Sequence, residues 1–585
     1  MMSPSALARG FDRPYGRRVA SVAVLGGGVG GLSAAHELAE RGFDVTVYEA
    51  RDAFGGKARS MPVPGSGVGG RADLPAEHGF RFFPGFYRHL PDTMARIPDA
   101  GGSSIADRLV QATRILLAQA GGRDELVAAA QLPSSLDDLA VVIRFAWEFG
   151  IGAGIPPHEL AFFLERLLTL LTSCDERRFG QWERLSWWVY SGAERRTAAF
   201  QKFLADGLTR TLVAARAREI SARTGGLIMC QLLFDLTRAG GRADRVMDAP
   251  TNEAWIDSWV AHLRGLGVVL RDGCEVAGIG CDGRRITGVA VQAPAGVETV
   301  TADHYVAALP VERLRLLLSP ALRAAEPRLA ALPRLVVRWM NGAMFYLDRD
   351  VPLQHGHAIF IDSEWALTAI SQAQFWPDVD LEQRGDGRVE GILSVDVSEW
   401  ERPGRRTGKV AMACSREEIR EEVWGQLVDH IDDGSLDAAN VVSWFLDPAI
   451  QFPNPTGATN LEPLLINTAG SWVDRPDAVT RIPNLFLAAD FVRTHTDLAT
   501  MEGANEAARR AVNGILDAAG SGVARCPVWK LREPGVLAPF RTLDRVRWRL
   551  GRGPAPPPVR VTETGAIEPS GPIARALLAV ARRVR

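Results

Sequence analysis

The spacing of apolar positions changes period sharply within the first sixty residues. Val19-Ala20-Ser21-Val22-Ala23-Val24-Leu25 is a short continuous apolar run, which predicts a strand buried on both faces, as in a parallel sheet. Gly26-Gly27-Gly28-Val29-Gly30-Gly31 interrupts it, and the spacing from Leu32 to Arg41 predicts a helix. Asp44 to Tyr48 predicts a second strand, stopping at Glu49. Leu136 to Glu148, Pro157 to Leu171 and Phe200 to Leu212 carry apolar residues three and four apart, so residues 96–245 read mainly as helices. Beyond them the pattern predicts a helix over Glu253 to Gly265, a strand over Val268 to Ile279 and a hairpin at Cys281-Asp282-Gly283. Another strand follows over Ala302 to Pro310. Residues 311–465 mix strands with a helix at Arg416 to Ile431. Asn484 to Asp490 reads as a last strand, before a long helix from Ala499 to Ala518.

The strand, glycine turn and helix at the start suit a dinucleotide. Gly26 permits the tight turn, Gly28 lets backbone approach a pyrophosphate, and Gly31 lets the helix lie close on the strand. The helix N-terminus, with Val29 and Gly30, then faces the anion. Glu49 is placed to accept from a ribose 2′-OH, and its charge would repel a 2′-phosphate, which argues against NADP. A second glycine cluster, Gly150 to Gly154, has no strand before it and reads as a turn.

Composition narrows the field. A chain of 585 residues with 46% hydrophobic and 23% charged residues is long enough for two or three domains with large cores. A formal charge of -2 makes no case for nucleic acid as a partner. Six cysteines without CxxC spacing suggest a reducing compartment, with no disulfide framework, zinc or iron-sulfur site. Arg17-Arg18 precedes the first cofactor strand rather than a signal core, residues 1–16 read as a disordered lead, and no transmembrane helix is expected. These features place the protein in the cytoplasm. From Arg525 onward 13 Lys and Arg face 4 acids. Arg541 to Leu550 and Ile573 to Val584 read equally as basic amphipathic helices on the inner face of a membrane or as a solvated tail.

Three further stretches carry a resemblance. Glu49-Ala50-Arg51-Asp52-Ala53-Phe54-Gly55-Gly56-Lys57-Ala58-Arg59-Ser60 resembles the segment after the ribose-binding acid in FAD enzymes of the amine oxidase and phytoene desaturase superfamily. Glu77-His78-Gly79-Phe80-Arg81-Phe82-Phe83-Pro84-Gly85 resembles the stretch that follows it in plant-type phytoene and ζ-carotene desaturases. Asp490 with Met501-Glu502-Gly503-Ala504 resembles the C-terminal FAD motif, with Ala489 where relatives usually carry glycine. The bacterial hydroxysqualene dehydroxylase shares these features. The resemblance implies an α/β fold: a Rossmann-type, glutathione-reductase-like FAD-binding domain from residues 18–95, 246–310 and 466–520. It is interleaved with a helical region at 96–245 and a sheet-based substrate domain at 311–465, and followed by a basic extension at 521–585.

FAD is the implied cofactor. Gly55, Gly56, Ala50, Ala58, Phe82, Phe83, Pro84 and Gly85 are implied to lie along it, Arg51, Lys57 or Arg59 to meet its phosphates, and Val276 to contact the adenine. Asp490 is implied to meet the ribityl or pyrophosphate, and Met501, Glu502, Gly503 and Ala504 to open the helix that points at the flavin. The implied reaction is desaturation of a hydrophobic isoprenoid or polyene by hydride transfer to the flavin. Amine oxidation, a redox-neutral isomerisation or dehydroxylation, and a non-catalytic flavin-binding role remain alternatives. His78 is the candidate base and Arg81 a candidate to orient substrate. Trp182, Trp187, Trp188 and Tyr190 either line an apolar channel or pack a core, and the run Trp365 to Trp376 is read as compatible with the substrate tunnel. His355 and His357 would share a strand face but lack a third metal ligand, and His495 beside Asp497 is a cofactor contact or a loop residue. The oligomeric state is left open.

Replacing Gly28 with Val is expected to abolish FAD retention, read as loss of the yellow chromophore from the purified protein. Glu49→Ala is expected to weaken FAD binding by about 1–3 kcal/mol, measured by titrating the apoprotein with FAD.

Overall fold

The computed structural model describes residues 19–127, 146–147, 150–207, 209–210, 215–236, 244–454, 457–572 and 575. The first apolar run forms the strand Ser21–Leu25, the middle of a five-stranded parallel sheet in the order Leu485–Leu487, His304–Ala307, Ser21–Leu25, Asp44–Tyr48, Val269–Arg271. Its β-branched residues are buried as a parallel strand covered on both faces requires. This is the Rossmann-type arrangement expected of an α/β dinucleotide fold, and segments far apart in the chain supply its strands.

The helix Val29–Ala39 begins within the glycine turn, three residues earlier than the spacing alone indicates. An ideal β-carbon at Gly31 would lie 1.9 Å from the Gly26 carbonyl oxygen, and one at Gly30 only 2.0 Å from that of Ala488. No side chain fits either position. The same helix packs on the long helix Met501–Ala518 through buried polar groups. Asn505 donates to Ser33 Oγ (2.8 Å) and Thr93 Oγ1 (2.9 Å), while Arg509 reaches Asn505 Oδ1 (3.0 Å), Asp92 (2.6 Å) and Glu37 (3.5 Å).

A second sheet of seven strands stands beside the cofactor fold, in the order Val441–Leu446, Asn341–Leu347, Gly391–Val397, Leu367–Ser371, Ala358–Phe360, Arg114–Gln119, Gly122–Val127. It is antiparallel except where Ala358–Phe360 meets Arg114–Gln119. The helix Arg416–His430, begun by a Ser415/Glu418 capping box, buries Ile419, Val423 and Leu427 with Phe345 and Leu393.

Three expectations change here. Residues 96–245 are not uniformly helical: Leu109–Gln111, Arg114–Gln119 and Gly122–Val127 are strands, the last two joined at Gly121 with φ +81°. Ile115-Leu116-Leu117-Ala118 is too short an apolar run to tell a strand from a helix, and its partner Ala358–Phe360 is remote in sequence. The strand expected over Val268 to Ile279 splits, Val269–Arg271 joining the parallel sheet and Glu275–Cys281 an antiparallel one. Trp182, Trp187, Trp188 and Tyr190 pack a helical core, with Trp182 and Tyr190 rings 5.0 Å apart, and Trp365, Phe375 and Trp376 are likewise core. None of these rings lines the main cavity. Phe200–Gly207 is a π-helix. Most of Leu136 to Glu148 and Ile573 to Val584, the lead at 1–16 and part of Phe200 to Leu212 lie outside the described residues.

Past residue 520 the chain is anchored. Trp529 N–H donates to His89 Nε2 (2.9 Å), and the helix Ala538–Arg549 buries Phe540 and Asp544 against Pro157–Thr172 and Asp175–Gly180. Asp544 accepts from Arg177 Nε (3.0 Å), Cys174 N–H (2.9 Å) and Ala555 N–H (3.0 Å), leaving Val546 and Leu550 exposed on the outer side. Among the described residues no helix is long and apolar enough to cross a membrane.

Gly31→Ala is expected to destabilise the apoprotein by about 1–3 kcal/mol, the usual cost of forcing extra volume into a packed contact. Urea unfolding of the cofactor-free protein measures it.

Candidate active site

The strand ends, glycine turn and second sheet enclose a cavity of about 600 Å³. At one end the helix Val29–Ala39 points its N-terminus inward. Gly28 caps it with no side-chain hydrogen bond, and no acid stands in its first turn, so unpaired N–H groups and the positive end of the helix dipole are left for an anion. An ideal β-carbon on Gly28 would meet its nearest neighbour, Gly56 Cα, at 3.6 Å. The protein itself would therefore tolerate a side chain there, and a clash would fall on whatever occupies the cavity.

Glu49 closes the strand Asp44–Tyr48 and is 5% exposed, its oxygens accepting from Gly27 N–H (2.7 Å) and Arg51 N–H (3.0 Å). Each oxygen keeps acceptor capacity for a ribose hydroxyl. Val276 lines the wall beyond Glu49, together with Ala50 and Arg51. Gly55 and Gly56, with φ of +108° and +62°, continue the floor to Lys57 and Ala58, and Gly26 and Gly30 lie across from them. Asp490 faces the cavity from the end of the last parallel strand, and burial pushes its carboxyl above the usual range. Met501 and Ala504 complete this wall, and Phe82 and Pro84 lie toward the opposite end. Uncapped amides, a carboxylate for ribose hydroxyls and a glycine floor fit an adenine dinucleotide.

Six expected positions do not line the cavity: Gly31, Arg59, Phe83, Gly85, Glu502 and Gly503. Gly31 serves the helix-on-strand contact. Phe83 is fully buried, its ring 5.9 Å from Trp255. Glu502 accepts from the N–H groups of Arg88 (2.7 Å), His89 (2.8 Å) and Leu90 (2.9 Å), capping the helix His89–Met94, and Gly503 N–H meets Thr500 Oγ1 (3.1 Å). Both sit at a helix start, where local hydrogen bonding competes with any ligand role.

The cations are committed to carboxylates that local motifs do not reveal. Lys57 Nζ pairs with Glu312 (2.7 Å), and Arg59 donates to Gly56 O (2.6 Å) and Glu462 (3.1 Å). Burial, with Arg51 adding to it, lowers Arg59 to about 10. Glu462 also pairs with Arg51.

His78, linked to the same Glu462, has Nδ1 2.6 Å from Asp447 Oδ2 and 3.4 Å from Glu462 Oε2. Burial holds the imidazole below its ordinary pKa despite Asp447. Arg81 donates to Lys57 O (3.2 Å) and to Gly79 O, with Nε 3.8 Å from Glu77 Oε2. Burial raises Glu77 to about 7, although Arg81 and the Thr251 N–H (2.9 Å) favour its charge. Asp396, on the strand Gly391–Val397, lines the cavity beside Gly79, and burial raises it to about 7 as well. Glu77 falls in the stretch that carries the resemblance, but nothing local marks Asp447 or Glu462, and Asp396 shows only as a break in the apolar run of its strand.

Three other candidate histidines do not line the cavity. His357 Nδ1 meets Asp244 Oδ2 (2.5 Å) and His355 Nδ1 meets Thr113 Oγ1 (3.0 Å), with no metal-binding group among the described residues. His495 is held by its N–H to Glu506 Oε1 (2.6 Å).

A family model described as flavin containing amine oxidoreductase matches residues 29–516. Hydroxyneurosporene desaturase of Rhodobacter capsulatus is 55% identical over 49 residues, 8% of this chain and 10% of that protein. Carotenoid phi-ring synthase of Chlorobaculum tepidum is 40% identical over 72 residues, 12% of this chain and 10% of that protein. This chain thus matches about a tenth of the length of these relatives. Among solved structures, cyclohexylamine oxidase from Brevibacterium oxydans superposes with a TM-score of 0.56 at 13% identity, covering 86% of this chain and 100% of that one, a likeness of fold. The cofactor that the cavity fits is FAD. With the family match running from the first helix of the cofactor fold to its last, this FAD-dependent oxidoreductase belongs to the flavin-containing amine oxidoreductases.

Proposed function

We propose that this enzyme desaturates a hydrophobic isoprenoid or polyene. The observation that carries the reading is the cavity's second arm. Its walls include Ala215, Ile220, Ile228, Leu232, Met340 and Leu498, with Asn467 the polar side chain beside them. A wall so largely apolar favours a long apolar chain over a small cation.

Gly28, Val29 and Gly30 would hold the pyrophosphate of FAD, Glu49 its ribose, and Asp490 the portion nearer the flavin. Bound FAD supplies the two-electron acceptor. The chain's own part is to hold the substrate in the arm, exclude water and take up the proton that leaves with the second C–H bond. His78 and Arg81 stand at the junction of the two arms.

Two relatives support the reading by name: one is a hydroxyneurosporene desaturase, the other a carotenoid ring synthase. Leu316 is 74% exposed and Leu461 41% exposed, and both line the cavity at its opening beside Arg313. Apolar side chains next to a cation suit delivery from an anionic membrane surface, so cytoplasmic placement with peripheral membrane contact belongs to the proposal.

Anaerobic mixing of the holoenzyme with a panel of polyenes is expected to bleach the oxidised-flavin band and give a product two hydrogens lighter. Bleaching by amines alone overturns the reading, and an altered product without bleaching points to redox-neutral chemistry. Leu232→Trp, which fills the arm, is expected to slow polyene-driven bleaching about 10-fold or more while FAD stays bound.

A further inference from the structure

The geometry points to Asp396 as the group that takes the substrate proton, an assignment that rests on the desaturase reading above. Asp396 lines the cavity from the strand Gly391–Val397, in register with Gly342 on one neighbouring strand and Thr368 on the other. It is 5% exposed, and its Oδ1 is buried without a hydrogen-bond partner among the described residues. A buried carboxylate oxygen without a donor is costly, and where such groups persist a function commonly accounts for them.

Two glycines leave only a thin stretch of backbone over that buried oxygen. A β-carbon at Gly79 would lie 2.6 Å from Asp396 Oδ1, and one at Gly342 would lie 3.0 Å from His78 O and 3.1 Å from Gly79 Cα. Side chains at either place would crowd the segment between the carboxylate and the cavity. His78 is less suited: its Nδ1 is turned to Asp447 and Glu462, and burial keeps it a weak base.

The step balances as follows. One C–H bond of a CH–CH unit breaks with its electron pair going to FAD as hydride. The neighbouring C–H bond breaks with its proton going to Asp396, and the electrons of that bond become the new C=C. The substrate is oxidised by two electrons, FAD is reduced by two, and the carboxylate becomes a neutral acid. Neutralising a buried charge is favourable in a dry site, which makes this carboxylate a stronger base than one in water.

The charged and titratable groups facing Asp396 are Arg81 and His357, which favour its charge, and Asp447 and Glu77, which oppose it. Burial outweighs them and places the carboxyl at about 7, near the optimum for general-base work at neutral pH. The ionised form is the active one, so flavin reduction should fall as pH drops through about 7.

The test uses holoenzyme in two measurements. In the first, the oxidised protein is titrated from acid to alkaline pH without substrate. A shift of the flavin absorption band near pH 7 is expected in the wild type and in His78→Gln, and is expected to vanish in Asp396→Asn. In the second, single-turnover reduction by a polyene is followed against pH. Asp396→Asn should reduce at least about 100-fold more slowly, with the acid limb gone and FAD content unchanged; His78→Gln should keep the limb. A limb that survives Asp396→Asn, or that disappears in His78→Gln instead, overturns the assignment while leaving desaturation standing. A wild type that no polyene reduces overturns the desaturase reading and this assignment with it, even where the spectral titration appears.

Discussion

The architecture depends on one close approach of backbone to backbone. The first turn of Val29–Ala39 lies against the carbonyl oxygens of Gly26 and Ala488, at separations only glycine permits. That contact sets the helix directly over the ends of the parallel strands, so its uncapped N-terminus opens onto the place where Glu49 and Asp490 end their own strands. Anion site, ribose acid and C-terminal acid thereby follow from one packing constraint. The buried links from Asn505 and Arg509 to Ser33, Thr93 and Glu37 hold the final helix to the first, so segments almost five hundred residues apart meet at one cavity.

Around that frame the charges are arranged by mutual compensation. Glu462 meets Arg51, Arg59 and His78, while Asp447 meets His78 and receives the Asn341 amide (2.7 Å). An ion taken from water is tolerated inside a protein only where a partner and hydrogen bonds offset its desolvation. The loop carrying Glu462 comes from beyond the second sheet and the cations come from the cofactor segment, so pairing them fastens the substrate side to the cofactor side. On the cavity wall Asp396 departs from this rule, since one of its oxygens has no donor.

What local sequence shows and does not show divides along the same line. Gly26 to Gly31, Glu49, Gly55 and Gly56 are legible because each role depends on neighbours within a few residues, and the strand, turn and helix that define those roles are themselves local. Asp490 with Met501 and Ala504 is legible through the motif it resembles. Glu312, Glu462, Asp447 and Asp396 are not, because each acquires its role from a partner between about forty and more than four hundred residues away. Glu502 and Gly503 show the opposite failure. They sit within a legible motif, yet the helix ends beside them absorb their hydrogen bonds. The strand Arg114–Gln119 escapes periodicity because a buried strand inside a mixed sheet and a short buried helix present the same apolar run.

The apolar arm and the unpartnered carboxylate belong to the same physical argument. Ile220, Ile228, Leu232 and Leu498 line the same cavity as Asp396, His78 and Arg81, and apolar walls lower the effective dielectric there. A carboxylate there is held charged by Arg81, His357 and the Phe80 backbone N–H, at the edge of what burial allows. A bound apolar chain would displace water from the arm and lower that dielectric further. Occupancy of the arm would therefore raise the carboxylate's affinity for a proton when a C–H proton lies nearest to it. A polar or cationic ligand would bring its own charge and remove the effect. The substrate class that the arm's walls favour is thus also the class that would activate the base at its end.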